Sequence, residues 1–168
     1  MKESKNDSCC SSIENTLAFL LLRLWLATRA IVTGIEKFGS FKVVEKPGPE
    51  ADTFIEVKEK FYALTNYAAI PPSLKDKFAQ EPLLPTAATT PFYASLGWLL
   101  ILLGVMLLLG IGTRISLFLQ GLLYTGLTVG LILIKQDDGI AWLGIHVGLV
   151  ALALLLVKHN RLSILKKW

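Results

Sequence analysis

The sequence predicts an all-α integral membrane protein, an up-down-up-down four-helix bundle with a long outer loop that contains short amphipathic helices. Four nearly uninterrupted apolar runs carry that reading: Leu17–Ile35, Phe92–Ile111, Ile115–Ile134 and Ile140–Val157. Each approaches the roughly 20 helical residues that cross a hydrocarbon core of ~30 Å. Helices fit because a spanning segment in lipid must satisfy its own backbone hydrogen bonds. The second observation is that Gly112–Arg114 and Lys135–Gly139 are the whole of the last two connections, which forces antiparallel neighbours. The third is that hydrophobic residues, 53% of the chain, are clustered and not dispersed.

Residues 1–168 read as a single membrane domain with no room for a separate soluble one. Residues 1–14 are expected to form a tail. Its adjacent Cys9 and Cys10 cannot make a CxxC redox pair or complete a tetrahedral metal site, and read as disordered thiols or a lipid-attachment point. The first span, 15–37, is broken by Arg23 and Arg29, and no small-residue cleavage site follows it, so it reads as retained.

The outer loop, 38–91, is too long for a simple connector. Over Thr53–Ala68, the positions Phe54, Val57, Phe61, Leu64 and Ala68 recur at helical spacing, which predicts an amphipathic helix ended by Pro71 and Pro72. A second short helix is expected over Ser73–Gln80 with Ser73 as its N-cap. Pro82, Pro85 and Pro91 are expected to keep the approach to the second span extended. The remaining spans are 92–111, 115–134 and 140–157, followed by a basic tail, 158–168. Gly97, Gly104, Gly126, Gly130, Gly144 and Gly148 read as close-contact positions between helices, with a ligand cavity as the alternative.

Four spans put both termini on one side. Lys2, Lys5, Arg114, Lys158, Arg161, Lys166 and Lys167 crowd the short segments there, whereas Lys37, Lys42, Lys46, Lys58, Lys60, Lys75, Lys77 and Lys135 are spread across the other side. Dense basic flanks place both termini in the cytoplasm. The net charge of +4 comes from these flanks and forms no basic face, which excludes nucleic acid as a partner.

The candidate chemistry lies where polar residues interrupt the spans. Arg29, near mid-depth, shares a helix face with Thr33 and Glu36; it reads either as an anion or quinone-carbonyl site or as an arginine satisfied by neighbouring helices. Arg23 is closer to the inner end and reads first as structural. Gln120, Tyr124 and Thr128 form an inward polar stripe on the third span, as interhelix glue or ligand contacts. His146 is a proton relay or ligand contact, or a hydrogen-bonded core residue. Its spacing from His159 on one helix rules out bis-histidine haem, no metal site is expected, and no CxxCH supports covalent haem. At the outer edge Glu36 and Lys37 share their depth with Asp137 and Asp138, read either as a solvated turn or as a proton-transfer cluster.

Three segments resemble the DoxX family of small four-helix bacterial membrane proteins. They are Leu21–Ser40 with Arg23, Gly34 and Lys37; Leu103–Arg114, which runs into Gly110-Ile-Gly-Thr-Arg114; and Asn160-Arg161-Leu162-Ser163. The resemblance implies the bacterial cytoplasmic (inner) membrane and a link to quinone- or sulfur/thiol-linked redox systems. It also raises Arg23 and Lys37 as site candidates. The expected role is an accessory subunit of a membrane oxidoreductase, surrounded by lipid. It would hold a quinone near Arg29, Gln120, Tyr124 and His146, and a redox partner protein would carry the electrons. The alternative is a non-catalytic membrane scaffold or a small-solute carrier.

Overall fold

The computed structural model describes residues 4–47 and 54–161. In chain order the elements are α1 (Ser4–Glu36), β1 (Gly39–Pro47), β2 (Phe54–Tyr62), a 3-10 turn (Leu64–Asn66), α2 (Pro72–Gln80), α3 (Thr86–Leu109), α4 (Thr113–Leu133), α5 (Asp137–Leu156) and a 3-10 turn (Val157–His159). Four stretches are long and apolar enough to cross a membrane: Ile13–Glu36, Thr89–Leu109, Thr113–Leu133 and Asp137–His159.

These helices bury one shared core and leave an apolar exterior. Phe19 and Leu26 of α1 meet Leu100 and Leu107 of α3, Leu117 of α4, and Val150 and Ala153 of α5. Outward, Leu21, Trp98, Leu122 and Leu155 are exposed, a surface that hydrocarbon solvates and water does not. The closest approach is between α1 and α3, where glycines let the backbones touch. A Cβ on Gly34 would lie 2.6 Å from Ile101 Cγ1 and 2.9 Å from the Gly97 carbonyl oxygen; one on Gly104 would lie 3.0 Å from the Ala27 carbonyl oxygen. Gly126, Gly144 and Gly148, expected at contacts, instead border open space. Those glycines lie on the outward surfaces of α4 and α5, where nothing needs close approach.

The α3–α4 connection turns on Gly110, at φ 74°, in the left-handed region that glycine enters without a Cβ clash. The Gly110 and Ile111 N–H groups donate to the Leu107 and Met106 carbonyls at 3.2 and 2.9 Å, a Schellman ending.

The outer loop departs from expectation. Phe54–Tyr62 is a strand, not part of an amphipathic helix, and pairs antiparallel with Gly39–Pro47 in the register Gly39↔Tyr62 to Pro47↔Phe54. The chain is therefore mostly helical with a two-stranded sheet, and not all-α. The apolar positions read at helical spacing are β-branched and aromatic, types that also favour strands. Pro47-Gly48-Pro49 between two such runs was the hairpin signal.

Three helix starts also differ from expectation. Residues 4–14, expected as a tail, extend α1, since they contain no glycine or proline; Cys9 and Cys10 lie on that extension, their side chains outside the described residues. The expected short helix is present as α2, but Pro71 is its N-cap and Pro72 opens it, where a missing N–H costs nothing. Pro91 lies inside α3 and not in an extended lead. A proline forfeits the hydrogen bond to the residue four before it, and here little more than one turn lies upstream. Residues 162–168 of the basic tail lie outside the described residues.

Candidate functional site

Polar side chains gather at three levels of the helical body. At the end carrying the α3–α4 turn, Arg23 is buried, and its guanidinium spreads over the last turn of α3. Its Nε donates to the Leu107 carbonyl at 2.8 Å and its Nη2 to the Leu108 carbonyl at 2.9 Å. Its Nη1 donates to Asn160 Oδ1 at 3.1 Å, and Asn160 Nδ2 donates in turn to Thr113 Oγ1 at 3.0 Å. The final carbonyls of a helix lack intrahelical donors and carry partial negative charge, so a cation with a planar fork suits them. Arg23, the last turn of α3, Thr113 and Asn160 thus meet at one node. Its geometry makes Arg23 a helix cap and a tie among α1, α3 and the segment after α5.

At the middle level, Gln120, Tyr124 and His146 are buried on α4 and α5. Gln120 Nε2 donates to the Leu26 carbonyl at 3.2 Å and to Tyr124 Oη at 2.8 Å. The Leu26 carbonyl can only accept, which fixes the amide orientation and leaves Gln120 Oε1 with no hydrogen-bond partner among the described residues. His146 Nδ1 lies 2.7 Å from the Trp142 carbonyl, which makes Nδ1 the protonated nitrogen. Its Nε2, which carries a lone pair in the neutral ring, is buried and also without a partner among the described residues. The Tyr124 and His146 rings meet edge to face at 5.7 Å. The stripe expected on this span is inward at Gln120 and Tyr124, while Thr128 donates to the Tyr124 carbonyl of its own helix at 2.8 Å.

Arg29 departs from both of its expected roles. It is exposed on α1, and no described residue hydrogen-bonds or ion-pairs with it, although its charge reaches Tyr124 electrostatically. On α1 it lies well to the side of the buried stripe of Phe19, Arg23, Leu26, Ala27 and Ala30, which turns it away from the core.

At the hairpin end the carboxylates follow the solvated-turn reading, and no hydrogen bond or ion pair among the described residues joins Asp137 or Asp138 to Glu36 or Lys37. Glu36 pairs with Lys60 at 3.1 Å, and Lys37 Nζ donates to the Ala69 carbonyl. Asp137 and Asp138 are exposed in the first turn of α5, where they complement the helix dipole. Burial holds the Lys37 ammonium below its ordinary value, opposed by the neighbouring Glu36 charge. The hydrogen bond to Glu36 raises Lys60.

Tyr67 had no periodic signal in the sequence, yet it anchors this end. Its hydroxyl donates to the Tyr93 carbonyl and accepts from the Gly97 N–H at 3.1 Å. It is thereby inserted between the two groups that would otherwise bond each other within α3. Gly97 makes room for it, since a Cβ there would lie 2.7 Å from Tyr67 Cε2. Beside Tyr67 a half-open cavity of about 550 Å³ is lined by Ile70, Lys75, Phe78, Leu84 and Tyr93.

Fold and site together define a helical protein with four candidate membrane-spanning helices, a polar group of three residues at mid-length and an appended β-hairpin. No protein-family model matches the chain. Neither a curated protein nor a solved structure matches it.

Proposed function

We propose that this chain is a DoxX-like integral membrane protein, an up-down-up-down bundle that holds a quinone-type ligand for a membrane redox system. Both termini face the cytoplasm of a bacterial cell, following the density of basic residues, and a partner protein exchanges the electrons. The observation that supports the reading is that two of the four buried side-chain atoms without a partner among the described residues, Gln120 Oε1 and His146 Nε2, lie on the facing helices α4 and α5 beside Tyr124; the others are Asn66 Nδ2 and His159 Nδ1. Leaving such groups unpaired costs about 1–3 kcal/mol each, a cost that a bound ligand would offset.

The chemistry of these atoms selects the redox form of the ligand. Two acceptors call for a ligand with O–H donors, which is the quinol. The quinone offers only carbonyl acceptors, for which the Tyr124 hydroxyl is a donor. A quinol hydroxyl donates to His146 Nε2, which takes one of the two protons released as the partner removes two electrons; the partner takes the other.

The rival is a non-catalytic scaffold. It is favoured by the Arg23 and Gln120 bonds, each of which ties one helix to another. Titration of the purified protein in nanodiscs with a short-chain quinol separates the two. Saturable binding that weakens about tenfold in His146→Phe, with helicity unchanged, supports the ligand site. Absence of binding to wild type leaves the scaffold.

A further inference from the structure

Among the described residues, little packs on the hairpin beyond the Glu36–Lys60 ion pair at its base. Eight of the nine β2 residues are exposed, Phe54 at 70% and Tyr62 at 52%, and β1 is the sole strand paired to it. An isolated two-stranded hairpin is at best marginally stable in water, and a free strand edge is a template for another strand, here blunted in part by Lys58 and Lys60. The sequence of β2 also specifies which strand fits that edge.

Phe54-Ile-Glu-Val-Lys-Glu-Lys-Phe-Tyr62 is complementary to itself when reversed. Centred on Lys58, an antiparallel pairing of two β2 strands puts Glu56 opposite Lys60, Ile55 opposite Phe61 and Phe54 opposite Tyr62, each twice. Opposite charges and aromatic or aliphatic pairs facing across strands are the favourable combinations. Shifting the register by one residue in one direction sets Glu56 against Glu59; in the other it pairs Lys58 with Glu59 and Ile55 with Tyr62 but sets Glu56 against Phe61 and Val57 against Lys60, so the centred pairing has the most favourable contacts. Its unfavourable contacts are Lys58 against its own copy and Val57 against Glu59.

We propose that β2 pairs antiparallel with β2 of a second copy of this chain, forming a four-stranded sheet β1-β2-β2-β1 across a two-fold axis at Lys58. Such an interface is isologous and closed, so it stops at a dimer. Each hairpin base meets the other's tip, which sets the two helical bodies apart by about the length of a nine-residue strand, ~30 Å. This inference stands independently of the ligand reading.

The test is disulfide trapping in detergent, where copies can meet in any orientation, on a Cys9→Ser/Cys10→Ser background. Lys58→Cys is expected to give an oxidised dimer readily, because that position opposes itself. Val43→Cys on β1 is expected to stay monomeric. A Lys58→Cys chain that remains monomeric, or that cross-links no faster than Val43→Cys, overturns the proposal. Charge reversal supplies the second arm. Glu56→Lys alone and Lys60→Glu alone should each weaken dimerisation about tenfold, since both copies of the pair become repulsive. Mixing the two variants should restore a heterodimer to near wild-type affinity, because each altered residue then faces its complement. Failure of the mixture to recover, with both chains of native helicity, also refutes the pairing.

Discussion

Replacing Arg23 by leucine removes at least three hydrogen bonds from a charged donor: to the Leu107 carbonyl, the Leu108 carbonyl and Asn160 Oδ1. Bonds to charged groups contribute about 1.5–3 kcal/mol each, so the three together are worth roughly 4–9 kcal/mol. Relief from holding a guanidinium within a span offsets about 2.5–3.5 kcal/mol of that. The net expectation is a destabilisation of roughly 2–6 kcal/mol, with α3 fraying at its last turn. Arg23→Lys keeps the charge but loses the fork, and is expected to recover about half of the loss. Reversible unfolding in mixed micelles measures both variants. A double-mutant cycle with Asn160→Ala should return a coupling of about 1 kcal/mol or more, because the two residues share a bond. An Arg23→Leu protein within about 0.5 kcal/mol of wild type, or a cycle with no coupling, would refute the cap.

Other outcomes follow from the same geometry. Gly104→Ala is expected to cost about 1–3 kcal/mol, because the new methyl meets backbone atoms of Ala27 and Ile31 at 3.0 Å. Gly144→Ala borders open space and should be neutral or stabilising by about 0.5–1 kcal/mol, as measured by thermal unfolding. His146→Phe removes an unpaired buried acceptor, while the Trp142 carbonyl keeps its helical bond, so the empty protein should gain about 1 kcal/mol as quinol binding falls. A loss of stability in that variant would mean that Nε2 is already satisfied. For Lys37, burial lowers the folded-state value below the ordinary 10.5. Between that lowered value and 10.5 the unfolded chain binds more protons, so this group adds stability as pH rises through the window and detracts from it below. Lys37→Met should abolish that rise in a series of unfolding curves at alkaline pH.

The four helices were legible because a long apolar run has one solution in lipid, whatever it packs against. Arg23, Gln120, Tyr124 and His146 stood out for the same reason, as polar groups where polarity is expensive. What each does was not legible. Arg23 and Arg29 are six residues apart on one helix, yet one is buried among carbonyls and the other lies outside the core. Arg23 lies on the buried stripe of α1 and Arg29 to its side, but what Arg23 binds depends on where α3 ends. The segment from Phe54 to Tyr62 was misread because its apolar positions fit both periods over so short a window, and pairing with Gly39–Pro47 decided between them. Tyr67 carried no signal, since its role is defined by two backbone groups of α3.

By itself the sequence determined that this chain has four helices suited to a hydrocarbon environment, and which polar residues interrupt them. Those are consequences of composition and length, each settled within one segment. Only the tertiary structure decided that Arg23 caps α3, that Glu36 pairs with Lys60 and not with a carboxylate cluster, and that Gln120 Oε1 and His146 Nε2 are left without donors. Each of these depends on which distant backbone or side-chain group arrives within hydrogen-bonding distance, and that is fixed by packing between helices.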